Sequence, residues 1–243
     1  MNQHPASERY IDSAMAGKSE LFYSALVGDL RPITADQSAS SRRDLLEIAI
    51  VFFCILIAVW TPQGKLNAFF SIVAAACVVA FAIAGRWGAS DLGLTRPFSG
   101  LGLTLLTGAI LCGAVALMGV PLRFVGRTYS VPLVRSWQYA IWALEQEFIL
   151  QSIFFVRLEA WVGARRAVFA AAFLFALVHI PSPVLTVLSF CGGILFCELF
   201  RRFRNIYSVG LIHASLGLTI ASSLPDKWMH HMRVGIGYLT IHH

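Results

Sequence analysis

The feature that most limits what this chain can fold into is a succession of apolar runs, each of near membrane-spanning length and each closed by charged or helix-breaking residues. The runs are Leu45–Trp60, Leu66–Gly85, Phe98–Val120, Trp137–Leu158, Ala164–Ile180, Val184–Phe200 and Ile206–Leu224. A helix needs about 20 apolar residues to cross a hydrocarbon core of about 30 Å, and most of the runs approach that length. Between them stand Thr61-Pro62-Gln63-Gly64, Thr95-Arg96-Pro97, Ile180-Pro181-Ser182-Pro183 and Arg201-Arg202-Phe203-Arg204-Asn205. Proline and glycine interrupt helices, and arginine clusters mark membrane surfaces. Composition agrees: charged residues are 13% of the chain, about half of the roughly 25% usual for a water-soluble domain. The expectation is an all-α polytopic membrane bundle of about seven transmembrane helices over residues 42–243, behind a soluble polar tail at residues 1–41.

A net charge of +6 does not point to nucleic acid, because the basic residues recur at the ends of apolar runs instead of gathering on one stripe. The partner they imply is a lipid bilayer. Lys and Arg weigh toward the side that would hold Arg31, Arg42, Arg43, Arg86, Arg96, Arg157, Arg165, Arg166, Arg201, Arg202 and Arg204, over the side with Lys65, Arg123, Arg127, Arg135, Lys227 and Arg233. The positive-inside rule then puts the N-terminus in the cytoplasm, as for a bacterial inner-membrane protein. Arg157, Glu159, Arg165, Arg166 and the basic cluster from Arg201 to Arg204 read as surface anchors, and His230, His231, His242 and His243 as solvated. Gly192 and Gly193 suit close helix packing. All five cysteines lie in apolar runs without CxxC or Cys/His spacing, so they read as packing residues and not as disulfides or metal ligands.

Ionisable groups inside apolar runs need a reason, since burying one costs about 2.5–3.5 kcal/mol even on the translocon scale. Three places stand out: Glu145-Gln146-Glu147 with Gln151 in the fourth run, His179 closing the fifth, and His213 inside the seventh. A buried carboxylate with histidines can hydrolyse a peptide bond. The carboxylate takes a proton from water, an imidazole shares that water, and a further donor stabilises the oxyanion. Glu147 and Gln151, four residues apart, share a helix face. Glu145 points nearly opposite, with Gln138 and Ser152 on its face, so only one of the two glutamates can easily face a given pocket. Counting rise along the helices puts Glu147, His179 and His213 at somewhat different depths, a gap that helix tilt can close.

These residues resemble the CPBP family of intramembrane proteases, which includes CAAX prenyl proteases and abortive-infection-like membrane proteins. Its motifs are Glu-Glu-x-x-x-Arg, Phe-x-x-x-His and His-x-x-x-Asn. Phe175-x-x-x-His179 matches in full, His213 supplies the second histidine, and Asp91-Leu92-Gly93-Leu94-Thr95-Arg96-Pro97 is similar to the Leu-Gly-Leu stretch before the family core. The resemblance covers roughly residues 90–222. Aligned on the arginine spacing, the first motif becomes Gln146-Glu147-Phe148-Ile149-Leu150-Gln151, and the asparagine becomes Gly217. Glutamine cannot act as a base. The resemblance therefore assigns catalysis to Glu147 (or Glu145), His179 and His213, with Gln146, Gln151 and Phe175 in supporting or substrate-binding positions.

The implied activity is a glutamic-type intramembrane endopeptidase acting on membrane-anchored, lipidated or leader-bearing polypeptides, with no cofactor and no metal. Two His and one Glu could make an open zinc site, but no HExxH spacing is present. The alternative, motivated by Gln146, Gln151 and Gly217, is a non-catalytic scaffold or immunity-type protein on the same fold. A proton-coupled transporter is a third reading, and the absence of inverted repeats argues against it.

Overall fold

The computed structural model describes residues 35–240, apart from Arg123, Val125 and residues 129–131. Most of the expected tail, residues 1–34, lies outside the described residues, as do His242 and His243, and a helix already begins at Ala35. The membrane unit runs from Ser41 to His243. Its elements are α1 (Ala35–Trp60), α2 (Lys65–Ala84), α3 (Leu101–Leu122), α4 (Leu133–Glu147), a π-helix (Phe148–Phe155), α5 (Val156–Val162), α6 (Ala164–Leu177), α7 (Pro183–Phe203) and α8 (Ile206–Ser223). Short helices follow at α9 (Asp226–Met229), a 3-10 turn (His230–Met232) and α10 (Gly235–Leu239). Among the described residues there is no strand, only one isolated bridge between Thr128 and Pro225.

Every apolar run lies in a helix, yet only α2, α3, α7 and α8 are both long and apolar enough to cross a membrane among the described residues. The count of about seven crossings is not reproduced. The physical reasons are local. Charged Arg42, Arg43, Asp44 and Glu47 occupy α1, and α6 has 14 residues, about 21 Å of helix against a core of about 30 Å. The stretch from α4 through α5 is long, but Arg135, Glu145, Glu147, Arg157 and Glu159 break its apolar character.

At the centre of the bundle stands the π-helix, where Leu150, Gln151, Ser152, Ile153, Phe154 and Phe155 are all buried. They pack with Phe196, Cys197 and Phe200 of α7 and Ile206, Val209 and Ile212 of α8. The Val156 N–H reaches back five residues to the Gln151 carbonyl, the bonding of a widened turn of a kind that occurs often at functional sites. The wider turn also overturns one expectation: Ser152 does not share a face with Glu145. Glu145 is exposed, whereas Ser152 is buried and its hydroxyl donates to the Leu92 carbonyl at 2.9 Å.

Glycines let the helices approach. A Cβ on Gly193 would stand 3.0 Å from Ala172 of α6, as close packing at this position requires, and one on Gly210 would stand 2.7 Å from Leu144 of α4. The segment 88–99 clamps the start of α8. Gly93 has φ 76° and its carbonyl accepts from the Ile206 N–H at 3.2 Å, while a side chain at 93 would meet the Phe200 ring. Asn205 caps α8 by accepting from the N–H groups of Tyr207 and Ser208, and its amide donates to the carbonyls of Pro97 and Ser99. One polar side chain thus satisfies two orphan helix donors and holds a loop.

Arg157 corrects a further expectation. It is fully buried and is no surface anchor. Its Nη2 lies 2.7 Å from a Glu47 carboxylate oxygen, Nη1 donates to the Ser152 carbonyl at 2.8 Å, and Nη2 also donates to the Phe81 carbonyl at 3.1 Å. A guanidinium, always charged, is held here by a carboxylate and two carbonyls, and that set ties α1, α2 and the π-helix together. Nearby, Arg86 pairs with buried Asp44 at 2.6 Å. Glu159 pairs with Arg204, and Glu198 with Arg201 and Arg202. His230 differs from the solvated reading by packing on Tyr238, whereas His231 is exposed and pairs with Asp226.

Candidate active site

Four elements bring the sequence-predicted residues together. Glu147 ends α4 and is fully buried. Its Oε1 lies 2.8 Å from Nδ1 of His213 on α8, and its Oε2 accepts from the Gln151 amide at 2.9 Å. The Gln151 bond follows from helical spacing, since residues four apart face each other; the His213 bond joins residues 66 apart in sequence. Oε2 therefore accepts one bond, and Oε1 shares a second with the imidazole of His213.

His179 lies just past α6, where its Nδ1 donates to the Phe175 carbonyl at 2.8 Å. A carbonyl can only accept, so the proton of a neutral imidazole is on Nδ1 and Nε2 carries the lone pair. Phe175 stands edge-on to both imidazoles, with ring centroids 4.8 Å from His179 and 6.0 Å from His213. Phe196 stacks on the other side of His213 at 5.2 Å. The Phe-x-x-x-His motif therefore aligns one imidazole by a backbone bond and spaces both by one aromatic ring.

The two histidines open onto a cavity of about 200 Å³. Its polar lining includes Tyr139, Trp142, Gln146, Ser189, His179 and His213, and its walls are otherwise apolar, from Ile55 and Val59 to Leu185, Leu188 and Ile220. Gln146 reaches this space; Glu147 does not, and sits behind His213. Glu145 is exposed and takes no part in the cavity. The structure thus joins Glu147, Gln151, His213, Phe175, His179 and Gln146 in one site and leaves Glu145 out.

Sequence reading missed Tyr139, Trp142 and Ser189. An aromatic or serine on a membrane helix is indistinguishable by sequence from a lipid-facing or packing residue, so no signal could have separated them. Met232 and Val234, beyond α8, also reach the cavity. Among the described residues no three His, Cys, Asp or Glu side chains converge as a metal site would need.

A buried carboxylate bonded to an imidazole, a second aligned imidazole, and a largely apolar cavity within an integral membrane bundle are the parts that hydrolysis inside a membrane requires. Residues 130–219 match the family model described as Type II CAAX prenyl endopeptidase Rce1-like, a similarity that supports the CPBP/CAAX protease resemblance read from the motifs. The matched segment is less than half of the 243 residues and contains every residue of the candidate site named above except those of α1, Ile220 and the segment after α8. No curated protein and no solved structure matches the chain.

Proposed function

We propose that this protein is an intramembrane endopeptidase in which Glu147 acts through His213 to activate water. The observation that carries the reading is the 2.8 Å bond from His213 Nδ1 to the buried Glu147 carboxylate, with His213 on the cavity wall. Such a pair fixes the tautomer so that Nε2 is the basic nitrogen, and it stabilises the imidazolium that forms on proton transfer. Gln146, which lines the cavity, cannot take a proton and serves as a hydrogen-bonding amide.

His213 Nε2 removes a proton from water as the oxygen attacks the scissile carbonyl carbon. The resulting tetrahedral intermediate collapses when the leaving nitrogen receives a proton, delivered from the imidazolium directly or through His179, and the C–N bond breaks to give a carboxylate and an amine. The largely apolar walls support a substrate that is membrane-anchored or lipidated, as the family match suggests. We further propose that the N-terminus faces the cytoplasm of a bacterial inner membrane, on the Lys and Arg bias of the loops.

The test uses purified protein reconstituted in vesicles and a fluorogenic peptide carrying a prenylated cysteine followed by three residues. Glu147→Gln and His213→Ala are expected to lower kcat by about 10³–10⁴, the range for losing a charged orienter or its imidazole. Glu145→Ala should leave it within about twofold. Equal cleavage by wild type and Glu147→Gln would refute the dyad, and cleavage by none of the proteins would favour a non-catalytic scaffold.

A further inference from the structure

We infer that the hydroxyl of Tyr139 is the oxyanion donor of this site, seated there because residue 217 is glycine; the inference rests on the protease reading above. A water-activating base is only half of what peptide hydrolysis needs. The carbonyl oxygen gains negative charge as the tetrahedral intermediate forms, and a preorganised donor aimed at it contributes much of the rate.

Tyr139 of α4 meets the geometric need. Its hydroxyl lies against Gly217 on α8, where a Cβ on residue 217 would collide with Oη and stand 2.8 Å from Cζ and 3.0 Å from Cε1. Gly217 follows His213 by four residues, one helical turn along the same face. The phenol is thereby held one turn from the imidazole, and both side chains line one cavity. Tyr139 Oη takes part in no hydrogen bond among the described residues, so its proton is available to a substrate oxygen. Structural tyrosines, by contrast, usually spend that proton on a protein acceptor.

The other cavity donors are less suited to this task. The amide of Gln146 is next in the chain to Glu147, the partner of His213, on the side of the base. Ser189 is on α7, and no hydrogen bond or ring contact ties it to either histidine. Tyr139 is pressed by contact onto the helix that carries His213. During attack, the His213 Nε2 accepts the water proton while the Tyr139 O–H donates to the developing oxyanion without giving up its proton. The bond is strongest in the intermediate and relaxes when the C–N bond breaks, so atoms and charge balance with no further reactant.

The experiment measures kcat and KM separately for wild type, Tyr139→Phe, Gly217→Ala and the double variant Tyr139→Ala/Gly217→Asn, in vesicles with the prenylated-cysteine peptide. Removing one oxyanion donor is expected to lower kcat by about 10²–10³, with KM for Tyr139→Phe within about twofold and an unchanged melting temperature, because the hydroxyl has no protein partner to lose. Gly217→Ala should lower kcat by displacing the ring. The double variant puts an amide donor into the vacated space and should recover at least tenfold over Tyr139→Phe. A Tyr139→Phe enzyme with wild-type kcat, or one changed only in KM, overturns the assignment while leaving the protease reading intact. A wild type that cleaves nothing overturns both.

Discussion

Removing either member of the buried Arg157–Glu47 pair should destabilise the protein severely, and removing both should not. Arg157 is wholly buried, with Nε at 2.8 Å and Nη2 at 2.7 Å from the same Glu47 oxygen. Breaking such a pair from one side costs about 3–5 kcal/mol, because the remaining charge stays buried without compensation. The two sides are unequal. In Arg157→Met, Glu47 keeps Arg43, whose Nε lies 2.9 Å from its other oxygen and whose side chain is 59% exposed, so the cost falls near the low end, about 3 kcal/mol. In Glu47→Met, Arg157 retains only backbone carbonyls, those of Ser152 and Phe81 and the more distant one of Ile153, neutral acceptors for a full charge, so the cost falls near about 5 kcal/mol.

For a unit of this size, 1 kcal/mol corresponds to about 2–4 °C in melting temperature. The expected losses are therefore roughly 6–12 °C for Arg157→Met and roughly 10–20 °C for Glu47→Met. Replacing a buried ion pair by apolar side chains of similar volume is often close to neutral, so the double methionine variant should melt above either single one. The assay is thermal unfolding of the detergent-solubilised protein, followed by the fraction that survives as a monodisperse species. Single variants within about 3 °C of wild type, or a double variant that melts below both singles, would refute the account of this pair as a mutually dependent clamp on the π-helix.

Two other substitutions probe how the fold positions the site. Asn205→Ala removes both the α8 cap and the two bonds to the 97–99 carbonyls; a loss of about 2 kcal/mol or more is expected in the same melt, with faster proteolysis of the 88–99 segment. Gly210→Val inserts a side chain where even a Cβ stands 2.7 Å from Leu144 and 3.3 Å from its Cα. It should cost about 1–3 kcal/mol by overpacking and, by separating α8 from α4, lengthen the Glu147–His213 bond. Peptide cleavage should fall with stability, and a Gly210→Val protein that melts and cleaves like wild type would contradict the packing described.

The sequence by itself determined what depends on local spacing and on the cost of burying polarity. Apolar runs punctuated by Pro, Gly and Arg pointed to the helices of a membrane bundle. Glu147 with Gln151, and Phe175 with His179, were already paired by the four-residue repeat of a helix, and a carboxylate and two imidazoles inside apolar runs demanded a shared site. Tertiary structure alone decided the partners. His213 reaches Glu147 across 66 residues, and the cavity takes Gln146, not the glutamate beside it. A π-helical turn rotates Ser152 away from Glu145's face. Arg157, an arginine near the end of an apolar run, was indistinguishable from a surface anchor until Glu47 was folded against it. Among the described residues four helices meet the length and composition for crossing, and charges that look peripheral along one helix are paired inside the bundle by another. Periodicity and transfer free energy act within a few residues of sequence, whereas the partner of a buried polar group is chosen by packing between elements far apart in the chain.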